Sequence, residues 1–93
     1  MTMKARLRAK LTEALRPTRL AIHDDSHRHA GHAGARTGGE SHFRLEIVSS
    51  LFAGESRVAR QRRVYVLLDA ELRDGVHALQ LTTLTPEEDQ STI

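Results

Sequence analysis

The sequence contains no cysteine. No disulfide can staple the fold, which suits a reducing compartment, and no thiolate is available to act as nucleophile or soft-metal ligand. Any soft-metal site must therefore combine imidazoles of this chain with thiolates from another molecule. Aromatic residues are scarce: Phe43, Phe52 and Tyr65, with no tryptophan. The core must be aliphatic, and a base-stacking platform of the kind used by single-strand and RNA binders is excluded. No apolar run approaches the length of a membrane-spanning helix, so the expectation is a protein without a membrane partner and with a cytoplasmic location. There is also no glycine loop leading into a helix to cradle phosphate, and no serine in a nucleophile setting. The chain is not expected to be an enzyme.

What is present is enough for one small domain over residues 1–93. The chain has 39% apolar and 28% charged residues, a balance that folds rather than stays disordered. The formal charge is only +2. The basic residues nevertheless cluster, with Lys4, Arg6, Arg8, Lys10, Arg16 and Arg19 at one end and Arg57, Arg60, Arg62 and Arg63 in the middle. Such patches suit an acidic partner or a phosphate backbone, although a solvated helix face is the commoner reason for a charge run.

Apolar spacing sets the elements. Leu7, Leu11 and Leu15 recur at helical spacing from about Thr2 to Leu15, and Pro17 ends the pattern. The basic, acid-poor start has the composition of a transit peptide, but this periodicity reads as a first helix instead. Arg19 to Asp24 alternates as a half-buried strand. Residues 25–39 hold His27, His29, His32 and four glycines, with almost nothing to bury, and read as a loop. His42 to Ser49 is a strand with Phe43, Leu45 and Ile47 on one side, and the loop before it makes the preceding strand its expected antiparallel neighbour. Ser49 or Ser50 caps a short turn that Gly54 breaks. Ser56 caps a longer helix to about Arg73 with Val64, Leu67, Leu68 and Leu72 as its buried stripe. Arg57, Arg60 and Arg63 are expected off that stripe and exposed. Asp74-Gly75 turns the chain into a last strand, Val76 to Thr83. Thr85-Pro86-Glu87-Glu88 then starts a stub, with a frayed tail from about residue 89 to 93. The order is α-β-β-α-α-β, an α+β fold with helices on one face of a three-stranded mixed sheet.

Leu15-Arg16-Pro17, Asp24-Asp25-Ser26-His27, Glu40-Ser41-His42-Phe43, Val48-Ser49-Ser50, Phe52-Ala53-Gly54, Arg60-Gln61-Arg62 and Val76-His77-Ala78-Leu79 occur in this order over roughly residues 5 to 88. Together they resemble the BolA family, whose fold is α-β-β-α-α-β and akin to class II KH domains, with a helix-turn-helix-like middle. The resemblance implies an adaptor that pairs with a monothiol glutaredoxin and shares a [2Fe-2S] cluster with it. The glutaredoxin cysteine and a bound glutathione would supply thiolates. The ligand implied for this chain is His77, with a second from the loop between the first strands. The position matching that loop ligand is His29, with His27 and His32 as near alternatives. The family usually has Arg-His-Arg where this chain reads Arg60-Gln61-Arg62, so any role of that middle histidine is not carried here.

Taken alone, His77 at a strand start would be a hydrogen-bonded structural residue; the resemblance makes it a ligand. His42 keeps the structural reading, at most lining the same groove. The loop histidines could gather zinc, copper or nickel, but ordering a glycine-rich loop costs entropy, so a dedicated mononuclear site is not expected. His23 suggests no function. The second functional reading is DNA binding through Ser50 to Arg73 as a helix-turn-helix-like unit, with Arg57, Arg60, Arg62 and Arg63 on phosphates. A homodimer is a further arrangement the sequence leaves open.

Overall fold

The computed structural model describes residues 1–25 and 41–91. Helix α1 spans Met3–Leu15, strand β1 Arg19–Asp24 and strand β2 His42–Val48. A 3-10 turn, Ser50–Phe52, leads to helices α2 (Arg57–Leu67) and α3 (Asp69–Asp74), strand β3 (Ala78–Leu84) and helix α4 (Pro86–Ser91). The three strands lie in the order β1-β2-β3, antiparallel and then parallel. A parallel partner requires a crossover, and α2 and α3 provide it. The α+β architecture with a mixed sheet is thus the one expected.

Strand alternation decides the two faces. Phe43, Leu45 and Ile47 are buried against Leu7, Leu11 and Leu15 of α1 and Val64 and Leu68 of the crossover. Residues between them in sequence stand on the opposite face, which is polar. There Arg19 bridges Glu46 and Asp89 at 3.0 and 2.7 Å, and Arg44 meets Asp25 at 3.2 Å. Helix ends are satisfied locally. Thr2, Ser49 and Ser56 accept hydrogen bonds from the backbone N–H groups of Ala5, Leu51 and Ala59, respectively. The buried Ser49 also donates to the Leu15 carbonyl at 2.6 Å, tying the end of α1 to the 3-10 turn.

Three expectations need correction. The helix expected from Ser56 to Arg73 breaks at Leu68 (φ −99°, ψ 18°). The break lets α2 pack along β3 while α3 turns onto α1, where Glu71 meets Lys10 and Arg6 at 2.8 and 3.0 Å. The last strand begins at Ala78 rather than Val76, because Val76 N–H still bonds to the Glu71 carbonyl and closes the end of α3. Helical geometry continues past residue 89. Thr85 and Glu88 form a reciprocal cap, with Thr85 N–H donating to Glu88 Oε1 at 2.8 Å and Glu88 N–H to Thr85 Oγ1 at 3.2 Å. Helix α4 then runs to Ser91, with Asp89 held by Arg19.

Candidate functional site

Because β2 and β3 run parallel and β1 runs against them, one end of the sheet collects the end of β1 and the starts of β2 and β3. His42 is paired with Ala78 across the ladder, so His77 comes next to His42. The two imidazoles stack with centroids 6.2 Å apart and planes at 28°. His77 is exposed and His42 half-buried. Ser41, only 4% exposed, lies between them. Its carbonyl accepts from the His77 N–H at 2.7 Å, and its hydroxyl lies 2.8 Å from His42 Nδ1.

The same end carries both anchors of the segment between β1 and β2. Asp25 N–H donates to the His42 carbonyl at 2.8 Å, and Asp25, His42, Phe43, Ala78, Leu79 and Gln80 line a shallow depression of about 150 Å³. His27, His29 and His32 lie outside the described residues. Among the described residues, no three His, Cys, Asp or Glu side chains gather where a metal ion could sit. The donor set fits a shared group: an exposed imidazole beside a second one can contribute nitrogen, whereas sulfur must come from another molecule.

His23, for which the sequence suggested no function, sits on the polar sheet face with Nε2 3.1 Å from Glu46 Oε2. Arg19 first, and then His23, holds the Glu46 carboxyl below its ordinary range.

The arginines expected to meet phosphate fall into three kinds. Arg57 and Arg62 are exposed and form no ion pair among the described residues. Arg63 grips Glu55 through two contacts of 2.7 and 3.1 Å. Arg60, expected exposed, is buried. It donates to the Glu55 carbonyl at 3.0 Å, to the Thr83 carbonyl at 3.1 Å and to the Glu88 carboxylate at 2.6 Å. The signal was in the spacing: Arg60, Val64 and Leu68 recur every fourth position, so Arg60 lies on the buried stripe, not off it. Glu71 is a second buried charge that sequence reasoning missed, three positions past Leu68 on the same stripe.

The element order and the mixed sheet define a small α+β domain with His42 and His77 at one end of the sheet. Residues 11–88 match the family described as BolA-like protein. The chain belongs to that family. It is 48% identical over 89 residues to the chloroplastic protein BOLA1 of Arabidopsis thaliana, a match that covers 94% of this chain and 56% of that protein. The chain thus spans little more than half the length of that relative. It is 41% identical over 88 residues to the DNA-binding transcriptional regulator BolA of Escherichia coli strain K12, covering 95% of this chain and 80% of that protein. Among solved structures, the BolA domain of SufE1 from Arabidopsis thaliana matches with a TM-score of 0.81 and 46% identity, over 90% of this chain and 92% of that one.

Proposed function

We propose that this protein is a non-catalytic adaptor that binds a monothiol glutaredoxin and shares a [2Fe-2S] cluster with it. The observation that carries the reading is the exposed His77 at the sheet end where the segment of residues 26–40 departs and returns, in a chain with no cysteine. His77 would be one ligand and His29 the second, with His27 or His32 as substitutes from the same segment. The glutaredoxin cysteine and its glutathione would bring the thiolates. When bound, such a cluster supplies one-electron chemistry, and imidazole on one iron raises its potential above that of all-thiolate ligation. The chain's own part is to bind the partner, present neutral imidazole and keep it oriented. A protonated imidazole is no ligand, so cluster retention should fall in mild acid. The role would be cluster trafficking or iron regulation in the cytoplasm.

The test is to mix the protein with holo-glutaredoxin and glutathione and follow visible absorption and circular dichroism. New bands on mixing, altered by His77→Ala, are expected. Unchanged spectra on mixing, or bands indifferent to His77→Ala, would sink the proposal.

A second reading, DNA-binding regulation, is favoured by the name of the Escherichia coli relative and by the exposed Arg57 and Arg62, which form no ion pair among the described residues. It predicts salt-sensitive duplex binding that Arg57→Ala and Arg62→Ala weaken, each lowering the salt slope by about one. Binding indifferent to both changes would remove it. Arg60→Ala is unsuitable for this test, because it perturbs the fold.

A further inference from the structure

We infer that Ser41 and His42 act together as a positioning pair for His77. The inference rests on the reading of His77 as a ligand and adds how this chain readies that imidazole. His77 is exposed, precedes β3 and follows a turn at Gly75 (φ 144°). An exposed side chain in that setting ordinarily spreads over several rotamers, and fixing it on binding costs entropy.

Two contacts counter this spread. The backbone is held by Ser41, whose carbonyl accepts from His77 N–H at 2.7 Å and from Ala78 N–H at 3.3 Å. The ring is held by His42, stacked at 6.2 Å between centroids. His42 is itself fixed by strand β2 and by the Ser41 hydroxyl 2.8 Å from its Nδ1. Ser41 is buried, so its hydrogen bonds compete little with water and hold position firmly. One residue therefore sets the backbone of His77 and the ring that His77 leans on. Ligating imidazoles depend on such surrounding groups for orientation, and a side chain restricted beforehand loses less on binding.

The test begins with the protein alone. Three-bond couplings measured by NMR report the side-chain rotamer of His77. One dominant rotamer is expected in the native protein, averaging in His42→Ala, partial averaging in Ser41→Ala, and recovery in His42→Phe, which keeps a ring without its nitrogens. Mixed with holo-glutaredoxin and glutathione, His42→Ala should hold the cluster about fivefold less tightly, and His42→Phe should restore it. An unchanged His77 rotamer in His42→Ala, or averaging that persists in folded His42→Phe, would overturn the inference. Nitrogen hyperfine coupling from His42 in the cluster-bound complex would also overturn it, by making His42 a ligand. If His77→Ala leaves the cluster bands untouched, the proposed function fails, while the rotamer result stands on its own.

Discussion

Arg60 of α2 and Glu88 of α4 hold each other through two contacts, at 2.6 and 3.3 Å, and the guanidinium is the buried partner. The same guanidinium serves the Glu55 and Thr83 carbonyls and lies 5.9 Å from the centre of the Phe52 ring. One charged side chain thus joins the 3-10 turn, α2, β3 and α4. With the Tyr65 hydroxyl, which donates to the Leu79 carbonyl at 3.3 Å, it also occupies acceptors along the outer edge of β3. An edge so occupied is a poor template for another strand.

Arg60→Ala is therefore expected to cost about 3 kcal/mol in urea unfolding, because it takes the buried guanidinium from two carbonyls and from Glu88, which keeps the Thr85 N–H. Arg60→Lys should recover only part, since an ammonium lacks the planar fork. A loss within experimental error for Arg60→Ala would refute the role of this side chain as a structural hub.

Acid should weaken the hold on α4. The Arg60 guanidinium, and then the Thr85 N–H, hold the Glu88 carboxyl down at about 2, against an ordinary value of 4.5. Its folded pKa lies below its unfolded one, so its contribution is complete above about pH 4.5 and fades as pH falls toward 2. Asp89 beside Arg19 is shifted in the same direction. Urea midpoints measured across that range should drop with acid, and Glu88→Gln should flatten the dependence. An equal acid slope in Glu88→Gln would show that other carboxylates govern it.

Glu71 separates charge pairing from packing. Burial alone would raise its pKa, but Lys10, its own backbone and Arg6 outweigh that and hold it below the ordinary value. Glu71→Gln keeps the shape and loses the pairing, and should cost about 1–2 kcal/mol by thermal or urea unfolding. Glu71→Leu should stay within about 1 kcal/mol of the native protein, because it continues the apolar stripe while Arg6 retains Asp74 at 2.9 Å. If Glu71→Leu proves the more damaging change, the ion pairs outweigh the packing.

Arg16 adopts φ 45°, ψ 55° at the end of α1, a left-handed conformation that side chains bearing a Cβ resist. Arg16→Gly is expected to stabilise the protein by about 0.5–1 kcal/mol, because the cap bond from residue 16 N–H to the Thr12 carbonyl remains. A lower denaturation midpoint would show that the Arg16 side chain makes a contribution exceeding its backbone strain.

Much of the fold was legible because it is encoded locally. Leucines every fourth position marked α1, alternation marked β1 and β2 to within a residue, and Thr85-Pro86 marked the start of α4. The errors arose where distant contacts overrode local pattern. Nothing local signals that Leu68 must leave helical geometry, because the gain is α3 reaching α1. Arg60 was read as an exposed arginine free to meet phosphate, and Glu71 was not singled out, although both sit on the buried stripe, since spacing alone does not reveal whether a counter-charge waits there.

The candidate site divides in the same way. The order of elements and the lack of any thiolate follow from the chain itself, since each is a property of residue type and short-range spacing, whereas the choice of His77 rests on the family resemblance. That His42 stacks on His77, with Ser41 holding both, depends on the register between β2 and β3. Those strands are parallel and separated by the whole α2–α3 crossover, so their register is set by how the helices pack on the sheet. Residue chemistry was written in the sequence, and the company each residue keeps was decided by tertiary packing.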